Sequence, residues 1–308
     1  MTDHQQHPQV TAGILSYNRK DDLRRTLRNV LSISSPPLDI IVVDNGSTDG
    51  TLSMLESEFL SEGHPRLRVI PLKNNEGIAA RNRLFQETRT EYLLTLDDDS
   101  WPASGNDITR MLSIMERDAT IASVCATCVH PESGIAETEG IERFSSGGSR
   151  ESGFEVLNIA AGGSLLRMKA VRQTGGYDAD LFWGREENDL AFQLVQRGWK
   201  IVFYPDAVVY HAFSPTERNV YSRLEFITRN TIWILWKYFP LIVAVPAIML
   251  FAARRTLPVI VDFRRFTPVI RGISGGIMGF GRFRAKRTVF SIRQSWGLRR
   301  WFYKMLYE

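Results

Sequence analysis

Cysteine is nearly absent: the 308 residues hold two, Cys125 and Cys128. That count excludes a disulfide scaffold. The C-x-x-C spacing lacks a second pair for zinc, and Val129 stands where haem attachment would need a histidine. Both thiols fall in the apolar run 121–129, so they are expected to be buried spectators in a reducing cytosol. Residues 1–9 are polar and lack the apolar stretch of a signal peptide, which points to the same compartment. Acidic residues are scarce only in the last third. Residues 214–308 carry 17 basic and 4 acidic groups, against 21 and 30 in residues 1–213. A basic third on an acidic body points to an anionic surface for that third. Nothing in it resembles a nucleic-acid module, which leaves a membrane as the expected partner. Long apolar runs are also rare, and only residues 231–253 approach one.

What is present is alternation. Apolar runs at 10–15, 40–43, 67–71 and 92–96 read as strands, and periodic stretches at 21–33, 51–60 and 77–88 read as helices. The run 40–43 is purely apolar, as for a strand buried on both faces. Repeated βα units predict an α/β fold with a mostly parallel, doubly wound sheet. Ligands of such sheets bind outside the C-terminal strand ends. Three polar clusters fall there: residues 16–19, residues 44–50, and Asp97-Asp98-Asp99. Residues 132–154, rich in Gly, Ser and Glu, read as a long loop. A helix is expected over 186–196 and a strand over 201–210, ending near His211.

The acidic triplet carries the chemistry. Side chains alternate along a strand, so Asp97 and Asp99 share one face and Asp98 takes the other, where substitution should be better tolerated. Two same-side carboxylates repel unless something positive lies between them, and a hard Mg²⁺ or Mn²⁺ ion fits that place. A solvated acidic turn, with Asp99 or Ser100 capping a helix, is the other reading of the triplet alone.

Taken in order, Ser16-Tyr17-Asn18-Arg19, Val42 to Thr51, Asn75-Glu76-Gly77 with Arg81-Asn82, Leu96 to Asp99, Gly175 to Asp178, Glu186 to Leu190 and His211 form a set. This set resembles family 2 of the inverting nucleotide-sugar glycosyltransferases, which have the GT-A fold. The likeness spans residues 10–213, the expected catalytic domain, with 214–308 as a basic, aromatic-rich helical region. Bacterial surface-glycan enzymes, such as the rhamnosyltransferase-like ones, are the type implied. Galactosyl and N-acetylhexosaminyl transfer are equally open.

The resemblance implies donor binding by Ser16, Asn18, Arg19, Asp44, Asn45, Asn75, Gly77, Arg81, Asp97 and Asp98. It implies metal binding by Asp99, Asp97 and His211. The family's catalytic base comes from a Glu-Asp pair that reads Glu186-Glu187 here. Glu187 shares a helix face with Leu190, Ala191, Leu194 and Val195, which predicts that it points inward as the base. Glu186 and Trp183 are then candidates for the acceptor side. Gly162 and Gly163 could let an acceptor approach the backbone, or simply form a tight turn. A sugar nucleotidyltransferase would need a Gly-rich, basic phosphate loop near the first strand, which is missing. A catalytically inactive membrane adaptor is the other alternative, kept by the change from Asp to Glu at 187.

Residues 231–253 contain one charge, Lys237, in a length that could cross a bilayer. Trp233, Trp236, Tyr238 and Phe239 give residues 231–239 an interfacial composition. Pro240 and Pro246 are expected to interrupt the run. Arginines stand on both sides: Arg218, Arg223 and Arg229 before it, Arg254, Arg255, Arg264 and Arg265 after it. An interfacial or re-entrant hairpin on the cytoplasmic face is therefore expected rather than a span. A buried soluble helix is the remaining reading. The cluster Arg282, Arg284, Lys286 and Arg287 suits anionic headgroups. The acceptor is accordingly expected to be a lipid-linked or cell-surface glycan.

Overall fold

The structure, a computed structural model, describes residues 9–137, 145, 147–212, 220–286 and 288–291. Arg218, Arg287 and residues 138–144 and 146 of the expected long loop lie outside the described residues. Contacts group the chain into two units, residues 1–179 with 193–213, and residues 180–192 with 214–308. The segment 180–192, assigned to the first domain on sequence, thus groups with the C-terminal region.

The first unit is built on one mixed sheet. Its elements are β1 (Val10–Ser16), α1 (Lys20–Leu31), β2 (Leu38–Asp44), α2 (Thr51–Met54), β3 (Leu67–Pro71), α3 (Asn82–Glu87), β4 (Tyr92–Asp97) and β5 (Ser100–Pro102). They continue as α4 (Gly105–Arg117), β6 (Ile121–Val129), β7 (Gly147–Ser149), β8 (Gly153–Glu155), β9 (Ser164–Arg167) and α5 (Met168–Val171). The last turn of α6 (Glu186–Val195) and then β10 (Lys200–His211) complete the unit. The strand order is β3-β2-β1-β4-β9-β6-β10-β8-β7, with β5 beside β10. Strands β3, β2, β1 and β4 are parallel, as the βα alternation predicts, and β9 runs antiparallel between β4 and β6. Short β7 and β8 form a hairpin inside the stretch expected to be loop.

Apart from half-buried Leu15, the aliphatic residues of β1, β2 and β4 are buried on both faces. On α1, Leu23, Thr26, Leu27 and Val30 form the buried stripe at helical spacing. Both cysteines are reduced and buried, and burial raises the pKa of both thiols.

The second unit is helical. The first turns of α6 are followed by α7 (Val220–Tyr238), α8 (Leu241–Thr256), α9 (Phe263–Met278) and α10 (Phe280–Ala285). Its core is aromatic: Phe192 meets Tyr238, Phe239 and Phe290 edge-on, and Trp233 stacks on Phe283 at 4.5 Å. Helices α7 and α9 approach closely because α9 presents glycines. A Cβ on Gly272 would lie 2.7 Å from the Glu225 carbonyl oxygen, and one on Gly276 2.8 Å from Ile232.

Two expectations change here. Residues 231–239 are not interfacial, since Ile232, Leu235, Tyr238 and Phe239 are fully buried in this core. Pro246 does not interrupt the apolar run, because it sits inside a continuous α8. Among the described residues, 241–259 form one helical stretch long and apolar enough to cross a membrane, and most of it is exposed. Ile242, Val245, Met249 and Leu250 line its exposed side. Only Ala244, Ala247, Ile248 and Phe251 of α8 are buried.

Candidate active site

Strand register assembles the first part of the site. Ser16 pairs with Asp44, and Leu15 with Asp97, so the C-terminal ends of β1, β2 and β4 lie side by side. Asp44 is fully buried, and its Oδ2 accepts the Ser47 N–H at 3.2 Å in an Asx-type turn. Its Oδ1 and the Ser16 hydroxyl are buried without a hydrogen-bond partner among the described residues. A buried carboxylate oxygen in that state is costly unless a ligand donor meets it.

The residues around Asp44 shape the loop. Asn18 adopts φ +52° and accepts the Thr48 N–H at 2.7 Å. Asn45 donates to Asn75 and to the Gly77 carbonyl, both at 3.0 Å, and accepts the Glu76 N–H. Gly46, at φ +78°, passes so close to Asn74 that a Cβ would lie 2.8 Å from its backbone. Asn18, Asn45, Asn75 and Gly77 therefore hold backbone to backbone here.

The acidic triplet is a turn rather than a straight strand, because β4 ends at Asp97. The Asp97 N–H donates to Ser100 Oγ at 2.8 Å and closes that turn. Pairing of β10 with β5 places His211 opposite Ser100. Asp97, Asp99 and His211 consequently offer ligand atoms that all lie within 4.8 Å of one another. His211 Nε2 stands 3.1 Å from Asp99 and 3.9 Å from Asp97, while Nδ1 meets Glu137 at 2.9 Å. Glu137 thus fixes which ring nitrogen faces the carboxylates. Burial lowers the imidazole's proton affinity, but hydrogen bonds to Asp99 and Glu137 outweigh it and raise its pKa to about 10. Two carboxylates and one imidazole form a donor set that suits Mn²⁺ or Mg²⁺.

Positive charge also enters from two arginines. Arg19 contacts Asp99 at 3.0 Å and Asp98 at 3.4 Å. Arg81, buried, pairs with Asp97 and donates to the Ala161 carbonyl at 3.1 Å. Gly162 lies against the cluster, where a Cβ would stand 2.8 Å from Asp97 Oδ2. Gly163 faces Cys128 and Val209 instead. Asp98, expected to face away, shares Arg19 with Asp99 and is not a tolerant surface position. It is buried, accepts the Tyr17 N–H at 3.4 Å, and its pKa rises to about 8 through burial and the neighbouring Asp99.

Trp183, Glu186 and Glu187 belong to the second unit. Trp183 is half-buried with Arg223 5.7 Å from its ring centre. The expected orientation of the Glu pair is reversed: Glu186 is 3% exposed, whereas Glu187 and Val195 are only half-buried. The buried face of α6 runs through Glu186, Asp189, Leu190 and Phe192, because Asp189 is taken inward by Lys237 at 2.7 Å. Neither Lys237 nor Asn230, whose role emerges below, has a sequence signal linking it to this segment.

The fold has solved counterparts. The mannosyltransferase PcManGT from Pyrobaculum calidifontis, in complex with GDP-Man and Mn²⁺, is 14% identical with a TM-score of 0.58, covering 98% of this chain and 87% of that one. GalNAc-T7 with UDP, GalNAc and Mn²⁺ is 15% identical with a TM-score of 0.63, covering 99% and 58%. Among curated proteins, the pre-mycofactocin glycosyltransferase of Mycobacterium tuberculosis is 27% identical over 71% of this chain and 46% of its own length. The putative teichuronic acid biosynthesis glycosyltransferase TuaG of Bacillus subtilis is 38% identical over 30% of this chain and 37% of its own. The poly-beta-1,6-N-acetyl-D-glucosamine synthase of Staphylococcus aureus is 24% identical over 65% and 48%. The chain therefore spans less than half the length of these curated relatives. The family model of glycosyl transferase family 2 matches residues 11–175, more than half of the chain and the stretch that carries Ser16, Asp44, Arg81 and the acidic triplet. The chain belongs to glycosyl transferase family 2, on a GT-A fold.

Proposed function

We propose that this protein is a metal-dependent inverting glycosyltransferase. It would move a sugar from a nucleoside-diphosphate donor to a hydroxyl of a lipid-linked or cell-surface glycan. The observation that carries the reading is the Asp97–Asp99–His211 cluster at the end of β4, in a chain of this family. The nucleotides and Mn²⁺ named with the solved counterparts support the same donor and metal class.

In this reading Asp97, Asp99 and His211 would hold Mn²⁺ or Mg²⁺, which supplies Lewis-acid neutralisation of the charge growing on the departing diphosphate. Asp44, with one buried oxygen awaiting a donor, receives the nucleobase. Arg19 and Arg81 orient the triplet. Glu187 removes the proton from the acceptor hydroxyl as that oxygen attacks the anomeric carbon, and the C–O bond to the diphosphate breaks with inversion. Its partial exposure, rather than an inward orientation, now favours it over Glu186.

Partners beyond the donor follow from composition. The basic excess of residues 214–308 and the exposed apolar side of α8 favour attachment to an anionic membrane surface at its cytoplasmic face, either peripherally or by re-entry. Relatives named for teichuronic acid and poly-N-acetylglucosamine synthesis support a surface-glycan acceptor.

Thermal unfolding of the full chain with a panel of nucleoside diphosphates, with and without Mn²⁺, tests the reading. One nucleotide should raise the midpoint only with Mn²⁺, by mass action, and Asp99→Ala should remove that rise. Stabilisation that survives both EDTA and Asp99→Ala would sink the metal assignment.

A further inference from the structure

The loop before α6 is held in a costly conformation. Phe182 and Arg185 have φ values of +57° and +72°, unusual for residues with side chains, and Gly184 between them has +85°. Such a backbone persists only when its surroundings over-determine it. One face of α7, within the same unit, does so in register. Arg223 lies over Trp183, Phe226 meets Phe182 at 5.7 Å, and Ile227 abuts Gly184. One turn on, Asn230 is fully buried and its amide nitrogen donates to three carbonyls, those of Leu181 at 2.8 Å, Trp183 at 2.9 Å and Gly184 at 2.7 Å. Thr231 Oγ1 then accepts from Arg185 Nε at 3.1 Å. Two turns further, Lys237 Nζ and the Tyr238 hydroxyl both donate to Asp189 Oδ1, at 2.7 and 2.8 Å.

A single amide that gathers three carbonyls converts a strained loop into a fixed lead-in for the helix start that bears Glu186 and Glu187. We infer that Asn230 is a positioning residue for that carboxylate pair: the α7 face 223–238 sets the direction of Glu187. The inference rests on Glu187 being the base. Removing its two N–H groups takes a donor from the Trp183 and Gly184 carbonyls, while the Leu181 carbonyl keeps Arg229 and the Trp183 N–H.

Three variants of the full chain, Asn230→Ala, Thr231→Val and Glu187→Gln, separate the possibilities. The readouts are Mn²⁺-dependent binding of UDP and GDP, and nucleoside-diphosphate release from a panel of UDP- and GDP-sugars with water as acceptor. Backbone amide exchange over 181–187 is followed alongside. Asn230→Ala should keep nucleotide binding within about twofold and leave the donor KM unchanged, while kcat falls about tenfold to a hundredfold, the range typical when a catalytic group loses its positioning. Amides 181–187 should exchange faster while those of β4 do not. Full kcat in Asn230→Ala, with Glu187→Gln inactive, overturns the positioning role alone. Full activity in Glu187→Gln overturns the base assignment and this inference with it. Should Asn230→Ala not fold, Thr231→Val removes only the acceptor for Arg185 and carries the same test, with an unchanged kcat as the refuting result.

Discussion

The two units solve opposite problems. In the sheet unit, polar groups are concentrated and matched: Asp97 and Asp99 meet Arg81, Arg19 and His211 at strand ends fixed by backbone pairing. In the helical unit, the core is aromatic, α7 is set by a buried amide and a buried ion pair, and an apolar helix side stays exposed. Charge is therefore positioned by main-chain register in one and by side-chain clamps in the other. Register resists substitution of any one residue, whereas a clamp fails when one donor is lost.

The largest expected effect is on the register-built cluster. Asp99→Ala removes a partner from both Arg19 and His211 and should lower Mn²⁺-supported turnover at least about a hundredfold, since several kcal/mol of leaving-group stabilisation depends on the metal. Steady-state rates with and without EDTA check this. Wild-type rates in the variant would show that the cluster is only structural.

The exposed side of α8 comes next. Ile242→Glu with Met249→Glu should weaken co-sedimentation with vesicles containing anionic lipid by roughly a hundredfold, because each buried aliphatic side chain contributes about 1.5–3 kcal/mol. Nucleotide binding should not change. Equal binding by both proteins would leave α8 without a membrane role.

Gly272→Ala probes close helix packing. Its Cβ would meet the Glu225 carbonyl oxygen and Thr228 at 2.7 Å, and overpacking of this kind costs about 1–3 kcal/mol. A thermal melt should show it, with Mn²⁺-dependent nucleotide binding retained by the sheet unit.

The smallest effect concerns Asp118. Hydrogen bonds to Thr120 and the pairing with Lys200 lower its pKa to about 2. A depressed pKa adds stability above the ordinary carboxylate range, near 4, and that stability disappears as pH falls towards 2. The side chain is 37% exposed, so screening holds the contribution below about 1 kcal/mol. Asp118→Asn should flatten that part of the stability–pH curve, as urea midpoints at pH 5, 3 and 2 would reveal.

Much of the donor side was legible because it depends on short-range pattern. Apolar runs ending in polar clusters marked β1, β2 and β4, and strands of one parallel sheet must end together, so Ser16, Asp44 and Asp97 converged as expected. The Glu186–Glu187 orientation was misread because helical periodicity treats Asp189 as polar and outward. Lys237, 48 residues away, reverses that by pairing with it inside the protein. Residues 231–239 looked interfacial for the same reason: composition does not distinguish aromatics facing lipid from aromatics packed on Phe192 and Phe290. Pro246 illustrates a third limit. It is the sixth residue of α8, past the first turn, so it gives up one intrahelical hydrogen bond and the helix still continues through it.

By itself, the sequence determined the family, the βα order, the acidic cluster and the basic, apolar character of the last third, since each is written in neighbouring residues or periodic spacing. Tertiary structure decided the rest: the burial of Asp98 and Glu186, the grouping of residues 180–192 with the C-terminal helices, and the clamp of Asn230 on three carbonyls. Those features join residues far apart in the chain through single polar contacts, and such contacts leave no period for a sequence to display.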